Sequence, residues 1–369
     1  MKILQTIKYY HPSKGGMESV ARDIVDGVIK SSKDTDFTIY ANSHTKLYTS
    51  KVYRSKQQTS IKESTIFFFK SQPLTFWYQK LRSLLSETDI VHHHYPFPNM
   101  EFALLRNILL LKNKKLVVTW HANIKNSRWS WIGKYYNPKI RKILDLASYV
   151  VVTSPQLFEN SDILKDYADK VKIIPLSFDP VFSQSSVERK YPVSRKFKLL
   201  FVGKLRTYKG LTFLLDAIVD LDVELTIVGE GENEKLLVKQ VEDLNIQKKV
   251  QFLKGINEQQ LVKIYQESDV FVLPSINEAE AFGVVQLEAM ASGLPVINTS
   301  LKSGVPYVSL DKITGITVAP QDSLALKNAI DNIISNPGTF ESYSRNAIKR
   351  SKEFSRENMA SSYQELYNG

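Results

Sequence analysis

The feature that most constrains this chain is a double alternation of short apolar runs with helix-period segments. Residues 2–7, 37–40, 65–69, 90–93, 116–120, 149–153 and 171–174 are rich in β-branched and aromatic side chains and read as strands. After a polar stretch at 183–196 the pattern restarts, with strands expected at 198–202, 224–228, 250–253, 270–273 and 295–297. Helical segments fall between them at 211–219, 234–244 and 258–267. Strands this apolar, separated by helices, are buried on both faces, which means parallel sheets covered by helices. The pattern therefore predicts two doubly wound α/β units, 1–182 and 197–351, joined by a linker at 183–196. A last helical segment, around 352–369, is free to pack back on the first unit. A length of 369 residues suits two domains. In open α/β sheets ligands bind at the carboxyl ends of the strands, so two such units face to face would leave a binding cleft.

Composition narrows the chemistry. There is no cysteine, which excludes a disulfide scaffold, thiolate zinc sites and cysteine nucleophiles, and which fits a reducing compartment. Residues 2–10 are too short and polar for a signal sequence, and no apolar run approaches the ~20 residues that span a bilayer. The expectation is a soluble or peripheral protein. The net charge of +11 is one-sided: residues 1–182 hold 27 Lys/Arg against 15 Asp/Glu, and residues 183–369 hold 22 against 23. A basic first half points to an anionic partner, a membrane surface or a nucleic acid. Residues 127–144 interleave Trp129, Trp131, Tyr135 and Tyr136 with Arg128, Lys134, Lys139, Arg141 and Lys142. Residues 67–85 set Phe76, Trp77 and Tyr78 among Lys70, Lys80 and Arg82. Such mixtures suit a lipid headgroup interface as well as an ordinary solvated rim.

The chemistry-bearing stretch is 269–298, DVFVLPSINEAEAFGVVQLEAMASGLPVIN. A buried strand runs into a polar loop, and Phe282–Gly283 then open a helix that closes at Gly293. Glu280 falls in the loop and Glu288 in the helix, so the two carboxylates have separate tasks available to them. Glycine before a helix offers free backbone N–H groups and the positive dipole end to a diphosphate, near Gly283, Val284 and Val285. Spacing alone leaves open a simpler reading, a loop acid followed by an amphipathic helix. Upstream, residues 201–210 (FVGKLRTYKG) join a strand end, a glycine turn and three cations, Lys204, Arg206 and Lys209. Cations there would neutralise a departing diphosphate.

These residues resemble the E-x7-E signature of the retaining glycosyltransferases of family GT4, whose fold, GT-B, is two Rossmann-like doubly wound domains facing a central cleft. The match includes Phe282–Gly283 after the first Glu, Glu-Ala-Met-Ala at the second, and Gly-Leu-Pro-Val-Ile beyond. The resemblance implies that Glu280 contacts donor-sugar hydroxyls and Glu288 the nucleotide ribose. Phe282, Gly283 and Val284 would offer backbone groups to sugar and phosphate. Lys209 matches the family's Lys-Gly, while Lys204 stands where an Arg is usual. That departure matters because lysine lacks the planar bidentate fork, and Arg206 is a candidate substitute. Gly203, Gly229 in the run IVGEGE, and Gly255–Ile256 in FLKGI match further donor-binding segments of the family.

In the first half, the loop after the first strand (YYHPSKGGMES) carries Gly15 and Gly16. By itself it is equally a tight turn; the resemblance places Gly16 near the donor phosphates. His121 ends a buried strand, and the resemblance places it close to the transferring sugar as a hydrogen-bonding, charge-stabilising group. His92, His93 and His94 invite a metal reading, but adjacent strand residues point to alternate faces and do not converge on one ion. The candidate Asp-x-Asp pairs, 34–36 and 220–222, precede strands instead of ending them. No metal and no cofactor are therefore expected, the nucleotide-sugar being a co-substrate. Same-face attack with phosphate-assisted deprotonation is the retaining route that the resemblance implies.

Residues 121–175 and 303–309 further resemble the bacterial mannosyltransferases of O-antigen and capsule assembly. They favour GDP-mannose as donor, with a UDP-sugar as the alternative, and a glycan or polyprenyl-diphosphate-linked acceptor at the cytoplasmic face of the membrane. Three rivals fare worse. A nicotinamide oxidoreductase would show G-x-G-x-x-G after the first strand, where this chain has only Gly15–Gly16. A nucleic-acid binder would want one contiguous basic groove, yet the sharpest motif lies in the slightly acidic half. A non-catalytic sugar-nucleotide-binding protein would dispense with Gly16 and His121.

Overall fold

The computed structural model describes residues 1–11, 16–47, 49–65, 67–69, 72–75, 78–123, 133–184 and 186–369. It divides into two compact units, residues 1–176 with 356–369, and residues 177–355.

The first unit is built on ten strands: β1 (Lys2–Ile7), β2 (Asp36–Asn42), β3 (Lys51–Arg54), β4 (Gln58–Glu63), β5 (Phe67–Phe69), β6 (Gln72–Leu74), β7 (Ile90–Tyr95), β8 (Lys115–Trp120), β9 (Tyr149–Val152) and β10 (Val171–Ile173). Eight of them form one sheet in the order β10-β9-β8-β7-β1-β2-β4-β3, and β5-β6 is a separate antiparallel ribbon. The large sheet is parallel except where edge strand β3 runs antiparallel to β4. Its central strands are buried along their length, as a sheet covered on both faces requires. On one face Leu4, Val91, Leu116 and Val118 pack with Ile140, Ile143 and Leu144 of the helix Gly133–Leu146.

The helix Gly16–Ser31 lies beside the C-terminal helix Arg356–Asn368, and Arg356 pairs with Asp23 at 3.0 Å. A Cβ added to Gly27 would lie 2.5 Å from the Cβ of Ala360, so only glycine lets these helices approach so closely. The C-terminal helix thus belongs to the first unit although the second intervenes in sequence.

The second unit holds β11 (Phe197–Val202), β12 (Val223–Val228), β13 (Val250–Leu253), β14 (Val270–Val272), β15 (Val296–Thr299) and β16 (Gly315–Val318). The sheet is parallel throughout, in the order β13-β12-β11-β14-β15-β16. Strand order reverses between β11 and β14, and the crevice at their carboxyl ends is where a doubly wound sheet takes its ligand. Helices start where side chains satisfy orphan amides: Asn257 and Gln260 form a reciprocal cap, and Asp322 accepts from the Ala325 amide.

Two expectations need correction. The stretch 183–196 is not a free linker. The Arg189 guanidinium donates to the carbonyls of Tyr265, Gln266 and Ser292, and its amide donates to Ser344 Oγ, which ties this segment to the second unit. The chain changes unit at 176–177 instead, and returns at 355–356. The strand expected at 65–69 is also different: β4 ends at Glu63, Thr65 pairs with Leu47 in an isolated bridge, and Phe67–Phe69 belongs to the small ribbon. Strands β3, β4, β6 and β16 escaped the sequence pattern because it sought apolar runs. β3 is exposed at all four positions, and edge strands of that kind are polar for a reason, since they must not recruit further strands.

Candidate functional site

At the carboxyl end of β11 the chain turns through Gly203, and residues Thr207–Lys209 form a single 3-10 turn closed by Gly210. Gly210 has φ 66°, and a Cβ there would meet the Pro274 carbonyl oxygen at 2.0 Å. Glycine is required on both counts, and the consequence is that the turn lies flat against the end of β14. The Tyr208 carbonyl accepts from the Ile276 amide at 2.8 Å, fastening the two loops together. This contact brings Lys209 to Glu280.

The Lys209 ammonium and the Glu280 carboxylate meet at 2.5 Å, with side chains 8 % and 10 % exposed. Ser275 Oγ donates to the same carboxylate oxygen at 3.0 Å, and the Ser275 carbonyl accepts from Thr299 Oγ1 at 2.6 Å. A paired, hydrogen-bonded geometry is what lets two charges be buried at all. The ammonium lies above Gly203, where a Cβ would meet it at 3.3 Å.

Glu288 sits in the helix Val285–Ala291 and accepts from Tyr265 Oη at 2.8 Å. Its surface is only partly covered, but it lies in dense surroundings, and burial pushes its carboxyl up to about 7. The Tyr265 hydroxyl acts in the other direction, while Asp179 and Glu258 add to the rise. The two motif carboxylates therefore differ in kind: Glu280 faces a cation, and Glu288 titrates near neutrality.

Phe282 and Gly283 are buried between them and Val284 is half-buried. Lys204 and Arg206 are exposed and make no ion pair with a described residue, so among the three expected cations only Lys209 is drawn into this cluster. Gly229 follows β12, while Gly255 and Ile256 come after β13, the first exposed and the second half-buried. Sequence reading missed Ser275 and Tyr265. Ser275 was visible as the residue after the strand-ending proline, but nothing local signals that the Tyr265 hydroxyl reaches a carboxylate from another helix.

In the first unit, Gly16 is exposed at the start of its helix, with nothing within 4 Å of a Cβ built there. Gly15 lies outside the described residues, as do Lys70, Phe76, Trp77, Arg128, Trp129 and Trp131 of the aromatic–basic segments; the side chains of Lys134 and Tyr135 do too.

The three histidines take part in a buried polar network. His92 bonds Thr119 Oγ1 and Tyr367 Oη at 2.7 Å each. His93 points to the opposite face, bonding Thr6 at 2.8 Å and Glu101 at 3.2 Å. His94 Nδ1 lies 2.8 Å from His121 Nε2, and the rings stack at 5.1 Å. Among the described residues no three metal-ligating groups converge.

The tautomers follow from Gln5. Its carboxamide nitrogen is 2.8 Å from His94 Nε2 and 3.4 Å from the Ala21 carbonyl oxygen. An amide nitrogen only donates, so His94 Nε2 accepts, His94 Nδ1 carries hydrogen, and His121 Nε2 accepts in turn. The remaining hydrogen of His121 is then on Nδ1, which has no partner among the described residues. Burial and the neighbouring His93 hold the His121 pKa down at about 3, so at neutral pH it is a neutral donor and not a proton source.

Comparison with known proteins gives this geometry a family. The model for "Glycosyl transferases group 1" matches residues 184–350, and that for "Glycosyltransferase Family 4" matches residues 14–182. The D-rhamnosyltransferase WbpZ of Pseudomonas aeruginosa is 33 % identical over 282 residues, covering 75 % of this chain and 72 % of the relative. The O-antigen chain mannosyltransferase C of Escherichia coli is 28 % identical over 100 % of this chain and 98 % of its own. Among solved structures, sucrose-phosphate synthase from Thermosynechococcus elongatus superimposes with a TM-score of 0.75 at 22 % identity, over 100 % of this chain and 98 % of that one. That last likeness concerns the fold, which is GT-B.

Proposed function

The chain belongs to glycosyltransferase family 4, and from that premise we propose that it moves a hexose, mannose first, from a nucleotide-sugar to a glycan or lipid-linked acceptor, with retention and without a metal. The observation that carries the reading is the buried Lys209–Glu280 pair at the reversal point of the second sheet. The choice of mannose draws on the relatives: one is named for mannose and the other for D-rhamnose, which is 6-deoxymannose, so both sugars share the axial C2 hydroxyl. The O-antigen chain in the mannosyltransferase's name also favours cell-surface polysaccharide as the product.

In this reading the donor diphosphate draws the Lys209 ammonium, and the Glu280 carboxylate is freed to accept from sugar hydroxyls. The ion pair keeps both groups ordered until then. Glu288 holds the ribose, and the His121 Nδ1–H donates to the transferring sugar. The bond from C1 to the diphosphate oxygen breaks while the acceptor oxygen bonds C1 on the same face, and the acceptor proton passes to the departing diphosphate. Lys209, and the exposed Lys204 and Arg206, stabilise the negative charge that develops on it. No helix among the described residues is long and apolar enough to cross a membrane. The basic first half supports docking at an anionic bilayer surface on the cytoplasmic side.

Calorimetric titration of the whole protein with GDP-mannose, UDP-glucose, UDP-N-acetylglucosamine and NADH, without divalent metal, tests the donor. Selective sugar-nucleotide binding that weakens in Lys209→Ala supports the site and names the base. Binding of NADH alone removes the transferase reading. Turnover abolished by EDTA and restored by manganese would remove the metal-independent route.

A further inference from the structure

The first unit carries a cleft of about 660 Å³. It is lined by Tyr10 after β1, by His44 after β2, and by Lys51, Arg54 and Lys62 of the β3–β4 edge. Residues after β1 and β2 mark the carboxyl ends of the parallel strands, where open α/β sheets take ligands.

Its electrostatics are one-sided. Among the described lining residues there is no Asp or Glu, against Lys51, Arg54, Lys62 and two histidines. Lys51 and Lys62 are direct cross-strand partners in the antiparallel β3–β4 register. Like charges placed opposite one another destabilise a ladder, and an anion bound between them would relieve that repulsion. Lys62 is 8 % exposed and forms no ion pair with a described residue; its ammonium rests over the Tyr53 ring at 5.3 Å. Burial, and then the Lys51 charge, lower its pKa below the ordinary lysine value. The nearest acid in sequence, Glu63, points to the other face of β4, where its carboxylate accepts from the hydroxyls of Tyr40 and Ser50.

An ammonium on a largely buried side chain with no counter-charge among the described residues, a second one directly opposite and a guanidinium at the rim suit an anionic ligand. We propose that this cleft binds the phosphoryl group of a lipid, with Lys51 and Lys62 clasping its oxygens and Arg54 closing over it. The proposal rests on the glycosyltransferase reading and deepens it, since a phosphoryl-linked acceptor would be held here by side chains other than those assigned to the sugar-nucleotide. Two lipids present that chemistry: the carrier of a diphosphate-linked acceptor, and an anionic phospholipid headgroup in the bilayer.

The test titrates the full chain and its Lys51→Gln and Lys62→Met variants with inorganic pyrophosphate, with geranyl diphosphate, and with phosphatidylcholine vesicles with or without phosphatidylglycerol. Each variant is expected to weaken the phosphoryl ligand about tenfold or more, the loss of one charge-assisted contact. Sugar-nucleotide affinity is expected to stay at the wild-type value, which separates this site from the donor site. Competition by geranyl diphosphate identifies a carrier diphosphate, whereas binding confined to phosphatidylglycerol vesicles identifies the headgroup. Lys62 is buried, so the exposed Lys51→Gln guards against a folding defect. Phosphoryl affinity unchanged in Lys51→Gln overturns the proposal, as does failure of the wild-type chain to bind any of these ligands.

Discussion

Breaking the Lys209–Glu280 pair is the perturbation whose size the structure specifies best. At 2.5 Å two unit charges attract by about 7 kcal/mol at an effective dielectric of about 20. With side chains only 8 % and 10 % exposed, desolvation consumes most of that, so the intact pair adds little net stability. Removing one partner is another matter, because the survivor stays buried without a counter-charge. Lys209→Met and Glu280→Gln should each cost about 3–5 kcal/mol, and the double variant clearly less than the sum. The chain supplies its own control. All four tryptophans, Trp77, Trp120, Trp129 and Trp131, precede residue 177 in the sequence and none falls in the second unit, so selectively excited tryptophan fluorescence does not report on that unit. Urea unfolding followed by far-UV circular dichroism should show the shifted transition while the fluorescence transition stays put. Single and double variants that add without coupling would show that the two charges do not interact, and would remove the basis for their exchange on donor binding.

Three further outcomes follow from the same geometry. Because the Glu288 carboxyl is raised to about 7, the folded chain keeps a proton that the unfolded chain releases near the ordinary carboxylate value. Its contribution to stability is full below that ordinary value, falls as pH rises towards 7, and is flat above. Melting temperatures of wild type and Glu288→Gln at pH 5 and pH 8 should therefore diverge, and parallel profiles would contradict the raised value. His94→Phe removes the donor that fixes His121 Nε2 as an acceptor, and transfer should drop about tenfold or more while sugar-nucleotide affinity holds. An equal loss of affinity would mean the relay supports the fold and not the orientation of His121. Gly27→Val should lower the melting temperature of the first unit, since even a Cβ would sit 2.5 Å from Ala360. An unchanged fluorescence transition would show that the C-terminal helix does not pack as described.

By itself the sequence determined that both units are parallel α/β sheets, because strands buried on two faces and separated by helices leave no other layer arrangement. It also offered Glu280, Glu288 and Lys209 as candidates, through the resemblance of their segments to a family signature and not through spacing alone. The tertiary structure decided what local order does not encode. Lys209 meets Glu280 because a left-handed glycine and the Tyr208–Ile276 bond lay two loops together, while Lys204 and Arg206, as near in sequence, stay in solvent. His92 to His94 sort between two faces of β7 and find partners on β1, on β8 and on the C-terminal helix. The Lys51–Lys62 opposition exists only through the register of a polar edge strand that no apolar pattern announces. Periodicity reports which way each side chain faces along its own element; which charge waits across the gap depends on how distant elements bury one another.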